Sequence, residues 1–201
     1  MRIGVLASGS GTNLQAILDA DLPVVVVVAD RRRAGALDRA EQAGVTTAVV
    51  DRSEYLPDRL AFTEAVVDAL GDHDVDLVAM AGFMTILEKP IFDAFEGRVL
   101  NTHPSLLPAF RGAHAVEDAL EAGVRVTGCT IHVAIPEVDA GPILAQEAVD
   151  IRDGDTAESI HERIKEVERR LYPEVLARVV ADGDVRVGER NRDRRAGSGG
   201  S

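Results

Sequence analysis

Arg2-Ile-Gly-Val-Leu-Ala7, Ser8-Gly-Ser-Gly-Thr-Asn13 and Pro23-Val-Val-Val-Val-Val-Ala29 decide the fold. The first and third stretches are apolar and largely β-branched, which suits strands, and residues 13–20 between them carry apolar side chains at helical spacing. A strand, a helix and a second strand in that order make a β-α-β unit. Both strands are continuously apolar rather than alternating, so they belong in a parallel sheet covered by helices on both faces. The alternation continues outward with a helix over 34–43 closed by Gly44, a strand over 46–50, a helix over 58–70 closed by Gly71, and a strand over 75–81. Residues 97–101 read as a short buried strand, and 113–122 as a helix. Two longer strands, 126–135 and 143–149, can then pair antiparallel through the 136–141 loop. A long amphipathic helix over 156–181 closes the pattern, with Thr156 as its N-cap, Glu158 in its first turn and an interruption at Pro173. The expected class is α/β: a mostly parallel central sheet with helices on both faces and an antiparallel C-terminal strand pair.

The 201 residues suit one domain, expected over 1–188, with a polar, Arg-rich tail at 189–201 expected to be disordered. An N-terminal half, about 1–100, would bind phosphate, and the half from 101 to 188 would hold the chemistry. The longest apolar run, 22–29, falls far short of the roughly 20 residues a membrane span needs, and a strand begins almost at Met1. No membrane or secretory segment is therefore expected. Cys129 is the only cysteine, which excludes an intrachain disulfide and any Cys/His metal spacing, so a cytoplasmic setting without a metal is the expectation. A net charge of −12 repels nucleic acid and anionic membranes, and any anionic ligand must be captured locally. Lys89 and Lys165 are the only lysines.

The Ser8–Asn13 loop joins strand to helix, where free N–H groups and the helix dipole favour a phosphate. Gly9-x-Gly11 with Asp30 about 20 residues on begins a dinucleotide fingerprint, Asp30 standing where a ribose-binding acid belongs. Leu14 occupies the third glycine's place and spoils it. Thr12 and Asn13 instead supply a hydroxyl and an amide, suited to a phosphomonoester.

Asn101-Thr-His103-Pro-Ser-Leu-Leu-Pro108 and, further on, Asp139-Ala-Gly141 supply an amide, an imidazole and a carboxylate near predicted strand ends, where open α/β sheets bind ligands. Asn101 and His103 alternate along an extended end and can face one crevice, with Thr102 pointing away. For acyl transfer to an amine, the His103 imidazolium and the Asn101 amide can donate to a developing oxyanion. Asp139 can hold the imidazolium and relay the proton. His132 and Thr130, alternating on a strand, are expected behind the trio, and His114 near it; His73 and His161 read as surface residues.

Six segments then carry a resemblance: Ser8-Gly-Ser-Gly-Thr-Asn-Leu14, Ala81-Gly-Phe-Met84, the 101–108 segment, Gly128-Cys-Thr-Ile-His132, Val138-Asp-Ala-Gly-Pro142 and Glu168-x-x-Leu-Tyr-Pro173. In order and spacing the chain resembles the glycinamide ribonucleotide transformylase family up to about residue 187. The resemblance implies a Rossmann-like formyltransferase fold and transfer of the formyl group of 10-formyltetrahydrofolate to the amine of 5-phosphoribosylglycinamide, in purine biosynthesis. It implies Asn101, His103 and Asp139 as the catalytic trio. Gly11, Thr12 and Asn13 would meet the substrate phosphate, and Glu168 the ribose hydroxyls. A folate pocket would be formed by Met84, Thr85, Ile86, Leu87 and the backbone of Ile135, Pro136, Glu137 and Val138, with Asn101 and Asp139 at its end and Arg59 toward the folate tail. At position 85 the family commonly carries arginine, so Thr85 implies a weaker hold on the donor. The expected partners are these two small molecules, for a monomer or homodimer that binds neither nucleic acid nor membrane. The alternatives are a formyltetrahydrofolate hydrolase, a formyltransferase for another small amine, and a non-catalytic nucleotide-binding module. The phosphate loop and Glu168 favour the ribonucleotide acceptor.

Overall fold

The computed structural model describes residues 1–186, so the tail expected at 189–201 lies outside the described residues. One seven-stranded sheet organises the chain. Its strands are β1 (Ile3–Ala7), β2 (Val24–Ala29), β3 (Thr46–Val49), β4 (Leu77–Met80), β5 (Val99–His103), β6 (Val126–Val133) and β7 (Ile143–Asp150), in the spatial order β3-β2-β1-β4-β5-β6-β7. The first five run parallel, and β6 is antiparallel to both β5 and β7. The expected class is borne out, with the reversal confined to β6.

Among the described residues six α-helices cover the faces: α1 (Thr12–Asp19), α2 (Gly35–Gln42), α3 (Arg59–Gly71), α4 (Lys89–Ala94), α5 (Ala115–Glu121) and α6 (Ala157–Asp182). Leu14 and Ile17 of α1, Ala36 and Ala40 of α2, Val116 of α5, and Ile160, Ile164 and Tyr172 of α6 pack in one apolar cluster. Phe62, Val66 and Leu70 of α3 join Ile91 of α4 in a second cluster, on the other face of the sheet. Each large side chain buried this way contributes about 1.5–3 kcal/mol. No helix among the described residues is long and apolar enough to cross a membrane.

Two expectations need correction, and one helix was missed. Helix α3 runs through Gly71, and the chain turns later, with Asp74 in the left-handed region at φ 48°. Helix α6 is not interrupted at Pro173. Proline there removes one backbone donor, but Leu171, Tyr172, Val175 and Leu176 around it are all buried, and the Tyr172 hydroxyl donates to the Leu100 carbonyl at 2.8 Å, tying helix to β5. Helix α4 was not foreseen; Pro90 in its first turn, where a missing N–H costs nothing, is the start signal that was overlooked.

The sheet order reverses between β1 and β4, both of whose outer neighbours come from opposite directions in sequence. The loops leaving the carboxyl ends of β1, β4 and β5 therefore converge at one edge, the position where doubly wound sheets bind ligands.

Candidate active site

A cavity of about 570 Å³ opens at that edge, lined by the glycine loop after β1, the 80–87 segment after β4, the end of β5, the loop after β6, and one side of α6. Gly11 caps α1 in the left-handed region at φ 75°, and a Cβ there would lie 2.7 Å from the Ala36 Cα, so only glycine lets α2 seat against the loop. Thr12 and Asn13 at the start of α1 face the cavity with Gly9 and Ser10. The dinucleotide reading fails on a second count: Asp30 is fully buried and faces no ligand space.

Asn101, His103 and Asp139 come together. His103, 5% exposed, has Nδ1 3.3 Å from Asp139 Oδ2, while its Nε2 lies 2.8 Å from the Phe110 carbonyl. Both ring nitrogens thus face acceptors, and only the imidazolium offers an N–H to each. Two residues in contact with the ring adopt left-handed backbone, Phe110 at φ 52° and Asp139 at φ 53°. Aspartate tolerates that region, but a bulky phenylalanine does not adopt it without cost, so the carbonyl that meets His103 is held under strain.

Asp139 accepts the Gly112 N–H at 2.9 Å. Burial pushes its carboxyl up, but the His132 ring, the Gly112 N–H and the His103 charge together pull harder and hold it below its ordinary value. A depressed folded-state value means that this carboxylate stabilises the fold above its unfolded value of about 3.9, and that the contribution disappears as pH falls through the folded value. Stabilities from denaturant curves of the native chain and of an Asp139→Asn variant should therefore differ at pH 7 and draw together as pH falls below the unfolded value of about 3.9. A gap that persists at low pH would refute this assignment.

His132, 1% exposed, points Nδ1 at the Val133 carbonyl at 3.0 Å. Its Nε2 lies 3.3 Å from Asn101 Nδ2 and 3.6 Å from Asp139 Oδ1, so the ring sits between amide and carboxylate and fixes their spacing. Thr130 stands opposite His103 in the β5–β6 register, and its hydroxyl donates to the Ser105 carbonyl at 2.6 Å and accepts the Leu107 N–H at 3.1 Å, fastening the segment that follows His103. His114 precedes α5, is exposed and does not line the cavity.

Met84, Thr85, Ile86, Leu87, Ile135, Pro136 and Val138 all border the cavity. The Glu137 side chain does not, being exposed and 3.5 Å from Arg111. Arg59 stands in an adjoining cleft of about 360 Å³ that also includes Arg52 and shares Met84, Thr85 and Ile86 with the main cavity.

Glu168 is buried and bound from two sides, by Asn13 Nδ2 at 3.1 Å and by the Thr102 hydroxyl at 3.0 Å. Thr102 does turn from Asn101, as alternation requires, yet it remains in the cavity lining and orients Glu168. His161 and Lys165 were missed as lining residues. Positions 161, 165 and 168 repeat at i, i+4 and i+7, so a polar stripe on the last helix was the available signal. Among the described residues Lys165 is the only lysine or arginine bordering the cavity. The cavity thus draws on both proposed halves of the chain. Among the described residues no group of three His, Cys, Asp or Glu could hold a metal.

Cys129 lies behind Glu168 and Thr102; burial and the nearby Glu168 charge push its thiol up to about 12. Folded protein at pH 8 should resist iodoacetamide and react only after denaturation. Stoichiometric labelling of the folded chain would contradict this environment.

Residues 1–176 match the Formyl transferase family, and the chain belongs to it. It is 46% identical over 191 residues to a phosphoribosylglycinamide formyltransferase of Mycobacterium tuberculosis, covering 93% of this chain and 88% of that one. It is also 46% identical over 195 residues to a trifunctional purine biosynthetic protein adenosine-3 of Gallus gallus, covering 94% of this chain but spanning only 19% of that relative's length. The crystal structure of glycinamide ribonucleotide transformylase 1 from Symbiobacterium toebii superposes with a TM-score of 0.88 at 48% identity, covering 94% of this chain and 92% of that one.

Proposed function

We propose that the chain transfers the formyl group of 10-formyltetrahydrofolate to the amine of 5-phosphoribosylglycinamide, releasing tetrahydrofolate, as one formyltransferase domain over 1–188. The observation that carries the reading is the meeting of amide, imidazole and buried carboxylate at the end of β5, in one cavity with a phosphate-type loop and an apolar wall. The amine attacks the formyl carbon; a C–N bond forms, the bond from that carbon to folate N10 breaks, and the proton lost by the amine ends on N10. Asn101 and the His103 imidazolium donate to the oxyanion between these events, and Asp139 holds the imidazolium and assists the proton's passage. Such donors act in a site where water is scarce and are preorganised before reaction.

The acceptor's phosphate fits the N–H groups of Gly11, Thr12 and Asn13, with Lys165 supplying local positive charge in a chain of net charge −12. Glu168 would accept from its ribose hydroxyls. The donor would lie along Met84, Ile86, Leu87 and the 135–138 segment. The partners are then two small molecules, and the cytoplasm is the setting that suits a lone buried thiol.

An absorbance assay of the folate, run with and without 5-phosphoribosylglycinamide, tests the reading. Turnover that requires the acceptor is expected. Turnover without it would mark a hydrolase, and binding without turnover would mark a non-catalytic module.

A further inference from the structure

Asp30 is the residue that the proposed chemistry leaves unused. It follows β2, its side chain is fully buried, and it does not line the cavity. A buried carboxylate is costly unless its oxygens are bound. The guanidinium contacts are long, with Arg31 Nε at 3.4 Å and Arg52 Nη1 at 3.7 Å, and both arginine side chains are 43% exposed. Among the described residues the one short bond comes from the Thr85 hydroxyl, at 2.7 Å.

Thr85 sits between Met84 and Ile86, which are 68% and 53% exposed and form the apolar wall of the donor side. Large apolar side chains left in water tend to fold inward and close such a wall unless the backbone beneath them is fixed. Ser8 Oγ accepts the Met84 N–H at 2.9 Å and Thr63 Oγ1 accepts the Glu88 N–H at 3.1 Å, pinning the ends of the segment. Asp30 pins its middle. The same residue's carbonyl accepts the Arg52 N–H at 3.1 Å, so the loops after β2, β3 and β4 are joined at one point. Threonine at position 85 is what makes this bond possible.

We propose that Asp30 is a positioning residue for the formyl donor: through Thr85 it holds the 84–87 segment open in the shape that receives the folate. The inference rests on the proposed function. Preorganising a binding wall lowers the ordering cost of association, so its loss raises KM for the ligand that uses the wall and leaves the rest of the site alone.

The test compares Asp30→Leu, which removes the acceptor at similar size, with Thr85→Val and Thr85→Ser in the acceptor-dependent assay. Thr85→Val and Asp30→Leu should each raise donor KM about tenfold, equivalent to about 1.4 kcal/mol, with acceptor KM within about twofold. Thr85→Ser should keep donor KM near that of the unmodified chain, and the Asp30→Leu/Thr85→Val double variant should be no worse than either single one, as two ends of one contact require. Should Asp30→Leu fail to fold, Thr85→Val against Thr85→Ser decides the matter. Unchanged donor KM in Thr85→Val, additive effects in the double variant, or equal rises in both KM values would overturn the proposal. An unmodified chain with no acceptor-dependent turnover would instead overturn the functional reading, so the two failures are distinguishable.

Discussion

Asp139→Asn should lower kcat by about 10²- to 10⁴-fold, the range that positioned acid–base assistance contributes. The substitution keeps size and shape, and asparagine tolerates the left-handed backbone that position 139 adopts at φ 53°, so the loop should stay in place. What changes is charge. On the proposed mechanism the amide would not stabilise an imidazolium at His103, whose Nδ1 lies 3.3 Å away, and would not take part in moving the proton from amine to leaving nitrogen. The Gly112 N–H, now at 2.9 Å from a carboxylate oxygen, can still find the amide carbonyl, which separates the chemical loss from a structural one. Acceptor-dependent turnover measured beside the thermal midpoint is the check. Near-native rates in a folded variant would remove Asp139 from the mechanism.

Gly141→Ala should have the largest effect on folding. A Cβ there would stand 1.8 Å from the Val133 carbonyl oxygen and 3.0 Å from its carbon, and backbone cannot swing aside as a side chain can. Relief requires parting the loop from β6 where the Val133 N–H donates to the Pro142 carbonyl at 2.9 Å. Loss of stability on the order of 3 kcal/mol is expected, within the range of overpacking and broken backbone pairing. Because Asp139 lies two residues earlier, turnover should fall as well. Urea unfolding that matches the native chain within about 0.5 kcal/mol would show that the loop has slack its geometry denies.

The parallel sheet was legible because buried strands of valine and isoleucine leave a local signature and glycine marks several turns. The reach of α3 through Gly71 and of α6 through Pro173 was not legible. In each case tertiary burial, of Leu70 and of Tyr172 with its neighbours, outweighs the local preference. Within the site, Asn101 and His103 were readable from their period-two spacing on one strand. The fixing of their geometry was not, because it depends on His132 across a strand pair and on Phe110 and Gly112 from a loop whose path no local pattern dictates. Lys165 escaped for a different reason: one charged residue on an exposed-looking helix resembles every other, and only the packing of α6 against α1 brings it to the cavity border.

The helices divide unequally between the faces of the sheet, α1, α2, α5 and α6 on one and α3 and α4 on the other, with the cavity at the edge they share. On the proposed reading, the acceptor lodges beside α1 and α6, and the donor beside the segment that joins β4 to α4. On that reading the two ligands rest against walls built from different layers of the fold, which meet at the end of β5 where Asn101 and His103 stand.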